Sequence, residues 1–186
     1  MKKLIASVAC LGMIGMSLGT SLPAFAATNG TAMSQGQAFR LPPGVSLDSS
    51  IRPVAGIHAS EQAKAAAVLE VARSKMGTPY IWGHNEDRGQ YGFDCSNYTA
   101  YVYHHALGYR MSGASRTQAR SIGTPVARSQ MKVGDLLIFD HGAHVGIYAG
   151  NNQVIQEGGG LKKVGYLSIA PGRYWSKHIT AVKRMF

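Results

Sequence analysis

Two residues in this chain have the chemistry of a nucleophile and its base. Cys95 directly follows Asp94 at the first turn of a predicted helix, and His144 opens a predicted strand, His144-Val145-Gly146-Ile147-Tyr148. Unpaired backbone N–H groups and the helix dipole at such an N-terminus favour negative charge, so the position is expected to favour the Cys95 thiolate. The same N–H groups, including that of Cys95, suit an oxyanion formed when the sulfur attacks a carbonyl. Most free cysteines are small buried hydrophobes. An imidazole able to act as general base is what raises Cys95 above that reading.

A third group should hold the imidazole, and hairpin parity selects it. If Gly150-Asn151-Asn152 is a three-residue turn, facing positions sum to 302, and His144 faces Gly158. Gln156 then lies on the same face as His144, as a diagonal neighbour within reach of a long side chain. A two-residue turn moves the sum to 303, puts Gln156 on the opposite face and makes Glu157 the candidate.

The elements that must position these residues are legible in outline. Ser60 is a predicted N-cap, after which Ala65, Val68, Leu69, Ala72 and Met76 recur at helical intervals until Gly77-Thr78-Pro79 breaks the pattern. Asp94 caps a second helix from about Cys95 to Leu107, with Tyr98, Tyr101, Val102 and His105 on one stripe and Gly108 closing it. Predicted strands follow at Leu136 to Phe139, His144 to Ala149, Gln153 to Glu157, Val164 to Ile169 and His178 to Met185. Helices first and strands second argue for an α+β domain, N-terminal helices packed on a mainly antiparallel β-sheet.

Lys2-Lys3, the apolar run Leu4 to Leu18 and the small-residue site Ala24-Phe25-Ala26 have the order of a secretory signal peptide over residues 1–26, with cleavage expected after Ala26. Gly12, Gly15, Ser17 and Gly19 interrupt the run, which argues against a membrane anchor, and no later run is long enough to span a bilayer. Cys10 lacks a lipoprotein cleavage box and leaves with the leader. Residues 27–58, rich in Ser, Gly, Thr and Pro, read as a linker or N-terminal arm, either a tether or a latch over the cleft. The catalytic domain is expected over residues 59–186. The mature protein is thus expected to be exported, to the periplasm or the extracellular cell wall. There it keeps one cysteine, Cys95, which cannot form an intramolecular disulfide.

The chain has 186 residues, 45% of them hydrophobic and 15% charged, which excludes a disordered tail protein. The formal charge of +10, from 19 basic and 9 acidic residues, falls to +8 without Lys2 and Lys3, which suits an anionic surface. The basic residues are scattered, and no recognition helix or aromatic-basic platform points to nucleic acid. No metal and no cofactor is expected. His104 and His105 are adjacent on a helix and are not expected to share a face, His58, His84 and His178 have no partner at ligand spacing, and Asp140, His141 and His144 match no paired zinc motif.

Pro79-Tyr80-Ile81-Trp82-Gly83, Asp94-Cys95-Ser96, Ser115-Arg116-Thr117, Gly134-Asp135-Leu136 and His144-Val145-Gly146-Ile147-Tyr148 occur in an order and spacing that resembles the NlpC/p60 family of papain-like cysteine peptidases, over roughly Ser60 to Phe186. The resemblance implies a papain-like fold and hydrolysis of short peptides in bacterial cell wall, commonly at the bond between D-Glu and the following diamino acid. It implies Cys95 as nucleophile and His144 as base, with Gln156 where the family usually has a second histidine. Tyr80 matches a tyrosine lining the cleft near the oxyanion site, and Asp94 and Ser96 match positions that help hold the substrate peptide. Asn97 replaces the glycine usual after Asp-Cys-Ser, and His84 replaces the second glycine usual after the tryptophan. Both departures bear on substrate preference.

The leading expectation is therefore a monomeric, exported cysteine endopeptidase acting on peptidoglycan stem peptides through an acyl-enzyme on Cys95. A thiol amidase or acyltransferase, including a delivered antibacterial toxin, is the alternative for the same residues. A non-catalytic wall-binding module would explain the charge but not the Cys95 and His144 pair.

Overall fold

The structure, a computed structural model, describes residues 40–186. The predicted signal peptide and the first part of the arm, residues 27–39, lie outside the described residues. The elements in order are β1 (Ser46–Leu47), α1 (Glu61–Ser74), α2 (Cys95–Leu107), β2 (Tyr109–Arg110), α3 (Ser115–Ser121), β3 (Thr124–Val126), β4 (Leu136–Phe139), β5 (His144–Gly150), β6 (Gln153–Gly158), β7 (Lys163–Ser168), α4 (Tyr174–His178) and β8 (Ile179–Arg184). Short 3-10 turns occupy Glu86–Arg88, Arg128–Gln130 and Asp140–Gly142. No helix among the described residues is long and apolar enough to cross a membrane.

Both main helices start where their caps dictate. The Ser60 hydroxyl accepts from the Ala63 N–H, and the Asp94 carboxylate accepts from the N–H groups of Ser96 and Asn97, satisfying donors that the first turn leaves unpaired. Gly108 ends α2 in the left-handed conformation, φ 74°, which glycine adopts without a Cβ penalty. The first helix ends at Ser74 rather than Met76, and Lys75 caps it through its N–H to the carbonyls of Ala72 and Arg73.

The six-stranded sheet has the order β3-β8-β4-β5-β6-β7, and every pairing in it is antiparallel. This is the expected α+β architecture. One face, with Leu136, Ile138, Val145, Ile147, Ile155 and Val164, packs under α1 and α2 against Val68, Ala72, Tyr98, Val102 and Leu107. The other face gathers Leu137, Phe139, Val154, Ile169 and Val182, with Trp175 and Ile179 against them. Of the fully buried tyrosines, Tyr98 donates to the Ala72 carbonyl (3.0 Å) and Tyr103 to the Gly134 carbonyl (2.8 Å), whereas the Tyr109 hydroxyl has no partner.

The β5–β6 hairpin departs from the expected turn and keeps the expected register. Asn151 and Asn152, φ 49° and 55°, form a two-residue turn, with Gly150 opposite Gln153. A bulge at Ala149 then adds one residue to β5, so Tyr148 faces Val154 and Ile147 faces Ile155, a sum of 302. The three-residue turn is thus corrected to a two-residue turn plus a bulge, and Gln156 stays on the face of His144. The last predicted strand, His178 to Met185, is trimmed by one residue at each end: His178 closes the helical turn Tyr174–His178, and β8 runs over Ile179–Arg184.

The described part of the arm packs on the domain. Ser46–Leu47 pairs with Tyr109–Arg110, Leu41 and Val45 rest on the core beneath α2, and the Val54 and Ala55 N–H groups donate to the carbonyls of His105 and Ala106.

Candidate active site

A cavity of about 1620 Å³ opens between the N-terminus of α2 and the near end of the sheet, and Tyr80, Asp94, Cys95, Ser96 and His144 all line it. Gln156 does not line it; it lies behind His144, fully buried. The predicted residues are therefore brought together, with Gln156 in the layer beneath.

Cys95 occupies the first residue of α2 and is 7% exposed. The nearby N–H of Val145, the residue after His144, and the N–H and hydroxyl of Ser96 favour the thiolate. Burial and the neighbouring Asp94 charge outweigh them and push the Cys95 thiol up to about 11. The helix start alone was expected to favour the thiolate; at this depth desolvation wins. Burial likewise pushes the His144 imidazole down to about 4, against opposing contributions from Gln156 and Asp140. Each shift is the response of a lone charge to burial. Moving the proton from sulfur to imidazole creates both charges at once, and each then supplies the other's counter-charge.

His144 is held on several sides. Phe139 and Trp175 pack against its ring at centroid distances of 5.8 and 5.2 Å, and Trp175 in turn meets Phe139 edge-on at 5.3 Å. The α4 turn carrying Trp175 is tied to the loop before His144 by a hydrogen bond between His178 Nδ1 and Asp140 Oδ1, 2.8 Å. The ring's Nε2 is buried without a hydrogen-bond partner, and so is Oε1 of Gln156. Extending the hairpin register sets Gln156 opposite Gly146 in β5, and it faces Gly165 in β7. A Cβ on Gly146 would lie 2.5 Å from Val154 Cγ1 and 3.0 Å from Gln156 Cβ, so only glycine leaves this side chain its place.

Tyr80 packs its ring over Gly158, where a Cβ would come within 2.9 Å, and donates its N–H to the Lys162 carbonyl (3.0 Å). Burial, then the charges of Cys95, Asp94 and Glu157, raise its phenol. Asp94 is saturated. Besides the N–H groups of Ser96 and Asn97, it accepts from the Ser96 hydroxyl (3.0 Å), Asn97 Nδ2 (2.7 Å) and the Gly83 N–H (3.0 Å), which fixes the Trp82-Gly83 loop to the start of α2. The Ser96 hydroxyl also reaches the Gly113 carbonyl, 2.7 Å. Asn97 is buried, and its Oδ1 occupies the space a Cβ on Gly113 would need, 2.4 Å away. His84 turns away from the cavity, its Nδ1 3.0 Å from the Tyr91 carbonyl.

Sequence reasoning missed three features. Trp175 gave no signal, because its contact with His144 spans 31 positions and two elements. Glu157, which faces Val164 in β7, is fully buried with neither carboxylate oxygen hydrogen-bonded, and desolvation pushes it up to about 8. Asp87 accepts from both His104 Nδ1 (2.9 Å) and His105 Nε2 (2.6 Å). These two histidines do converge, contrary to expectation, since one reaches with its near ring nitrogen and the other with its far one. Asp140, His141 and His144 form no such group, and among the described residues Asp87, His104 and His105 are the metal-competent cluster.

The model of the NlpC/P60 family matches residues 77–184 of the chain. A probable endopeptidase p60 of Listeria grayi is 41% identical over 99 residues, which are 52% of this chain and 18% of that protein. A probable endopeptidase of Corynebacterium glutamicum is 43% identical over 90 residues, 48% of this chain and 41% of that protein. The chain thus spans less than half the length of these curated relatives. The crystal structure of the peptidoglycan hydrolase RipB from Mycobacterium tuberculosis is similar at a TM-score of 0.57 and 26% identity, covering 67% of this chain and 66% of that one.

Proposed function

The chain belongs to the NlpC/P60 family, and from that membership we propose that it is an exported cysteine endopeptidase that cleaves peptidoglycan stem peptides, at the bond between D-Glu and the diamino acid. The observation that carries the reading is the convergence of Cys95 and His144 on one cleft, with the backbone N–H next to His144 close enough to favour the Cys95 thiolate. Relatives named as endopeptidases and a fold neighbour described as a peptidoglycan hydrolase support the substrate class.

In the proposed mechanism the resting pair is neutral, as burial of both groups favours. His144 carries its proton on Nε2, directed at Gln156 Oε1, which leaves the Nδ1 lone pair for the thiol. Substrate entry displaces water. The thiol proton passes to Nδ1 as the sulfur attacks the scissile carbonyl, and the new imidazolium and the oxyanion balance one another in a dry site. Backbone N–H groups at the start of α2 and the Tyr80 phenol, raised and therefore protonated, are the donors proposed to meet the oxyanion. Collapse of the tetrahedral intermediate breaks the C–N bond, and His144 returns the proton to the leaving amine. Water, deprotonated by His144, then releases the acyl group and restores the thiol. Gln156 orients the imidazole without adding charge, and Phe139 and Trp175 keep its ring plane fixed. Asp94 and Ser96 hold the helix start and the Gly83 and Gly113 loops that wall the cleft.

Residues 1–26 are proposed to be a signal peptide, residues 27–58 an arm, and residues 59–186 the catalytic domain of a monomer. Its excess of basic residues suits adhesion to an anionic wall, weakening as salt rises. The test is incubation with defined stem peptides and with non-peptide amides, followed by mass spectrometry. Products cut at the D-Glu to diamino acid bond are expected. Turnover of the amides with intact peptides would replace this reading by the amidase or acyltransferase one.

A further inference from the structure

At one end of the cleft, away from Cys95, four polar side chains from three separate segments converge. Asp87 comes from the 3-10 turn after β1 and α1, His104 and His105 from the last turn of α2, and Asp48 from the arm. All four line the cavity. One ligand atom from each of Asp87, His104 and His105 lies within 4.8 Å of the other two. The short contacts are His104 Nδ1 to Asp87 Oδ2, 2.9 Å, and His105 Nε2 to Asp87 Oδ1, 2.6 Å. The other nitrogen of His104, Nε2, meets Asp48 Oδ2 at 2.9 Å, and Arg110 and Ser50 hold that carboxylate in turn, Arg110 Nη2 at 2.7 Å and the Ser50 hydroxyl at 2.5 Å.

We propose that Asp87, His104 and His105 form a binding site for a divalent transition metal of the zinc class, with Asp48 as the outer carboxylate that orients His104. The donor set is two imidazoles and a carboxylate, which suits zinc and its neighbours and not the oxygen-seeking magnesium or calcium. Tetrahedral zinc with bonds of about 2.0–2.2 Å separates its ligand atoms by roughly 3.3–3.5 Å. Each histidine now meets its own oxygen of Asp87 at hydrogen-bond distance, and one ligand atom from each residue lies within 4.8 Å of the other two, so metal entry requires shifts on the order of 1 Å, within the rotamer freedom of side chains at the cleft surface.

The Asp48 contact distinguishes this arrangement from an ordinary surface network. A histidine ligated through one nitrogen characteristically donates the N–H of the other to a carboxylate, which fixes tautomer and ring plane. His104 has that arrangement, and Asp48 is itself clamped from the far side. Three protein ligands leave a fourth position open toward the cavity, where water or a carboxylate of a bound peptide would complete the tetrahedron. Binding displaces a proton from each imidazole that carries one, so affinity falls as pH falls. The site is independent of the hydrolase reading: it uses neither Cys95 nor His144.

The test uses the mature protein with Cys95→Ala, so that the thiol cannot take the metal. Titration with Zn²⁺ at pH 7.5 is expected to show about one equivalent bound per chain, and Co²⁺ is expected to give the intense visible absorption of a four-coordinate N/O site. His105→Gln, a substitution at a partly exposed position that leaves the core untouched, is expected to weaken binding by roughly 100-fold, and Asp48→Asn by roughly 10- to 100-fold. His178→Gln, outside the cavity lining, is the control and should bind as the parent does. Absence of binding at ~100 μM metal, far above the Kd of built zinc sites, overturns the proposal. So does binding that His105→Gln and Asp48→Asn leave unchanged while both retain the parent's melting temperature without metal.

Discussion

Replacing Glu157 with glutamine removes a buried carboxyl that has no hydrogen-bond partner, and the consequence depends on pH in a calculable way. In the unfolded chain the group titrates near 4.5, and in the folded protein burial moves it up to about 8. Between those values the unfolded state has released the proton and the folded state retains it. Stability from this group is thus complete below pH 4.5 and is lost as pH rises through 8. At 1.36 kcal/mol per pH unit the window holds at most roughly 5 kcal/mol, and local relaxation around an ionised carboxylate reduces this to about 2–4 kcal/mol. The Tyr80 and Tyr98 phenols and the Asp94 carboxylate share its surroundings, and none of them offers a compensating cation. The assay is urea unfolding of Cys95→Ser and of Cys95→Ser/Glu157→Gln at pH 5.5, 7 and 9, with the thiol removed so that it does not titrate. An advantage of about 1 kcal/mol or less for the glutamine variant at pH 5.5, rising to about 2–4 kcal/mol at pH 9, is expected, the latter a midpoint difference of roughly 1–2 M urea. The His144 imidazole, lowered to about 4, adds stability as pH rises from 4 to 6.5, but it is common to both proteins and cancels in the difference. A difference that stays constant from pH 5.5 to 9 refutes the reasoning.

Other substitutions probe the site from different sides. With His144→Ala the Cys95 thiol loses its proton acceptor and titrates near 11; alkylation by iodoacetamide at pH 7 should fall by at least roughly 100-fold and recover only in strong alkali. Gln156→Ala removes the amide proposed to orient the His144 ring once it carries the proton, so kcat should drop by about 10-fold while KM holds, as steady-state assays on a stem peptide would show. Gly146→Ala puts a Cβ 2.5 Å from Val154 and 3.0 Å from Gln156; a loss of about 1–3 kcal/mol in thermal unfolding is expected, with kcat reduced beyond that of Gln156→Ala.

The chain's own chemistry made the frame readable and hid the rest for identifiable reasons. Ser60 and Asp94 are side-chain caps, so both helix starts stand where a residue-level rule puts them. Gln156 reached the correct face through an incorrect turn, because the parity argument needs only the sum of the facing positions, and the bulge at Ala149 restored it. A bulge has no period and leaves no trace in a hydropathy pattern. Ser115–Ser121 carries no apolar stripe and its N-cap, Ala114, makes no side-chain bond, so the sequence holds no signal for this helix. Tyr174–His178 leaves no helix signal because it too lacks a capping side chain, and its last residue, His178, runs straight into β8. Cys95 and His144 were legible by type and setting. Their protonation balance was not, because it depends on how deeply the folded protein buries them. Glu157 was weighed only as a partner for His144; its lack of any partner follows from the apolar and aromatic side chains that α1 and α2 bring over that face. The Asp87–His104–His105 group depends on which ring nitrogen each histidine presents, a property of rotamers.

Digestion of purified peptidoglycan by the mature protein and by its Cys95→Ala variant, with mass spectrometry of the released muropeptides, bears most directly on the proposed activity. The mature protein should release fragments severed within the stem peptide, and Cys95→Ala should release none while still sedimenting with the wall at low salt. Equal release of severed peptides by both would contradict the account.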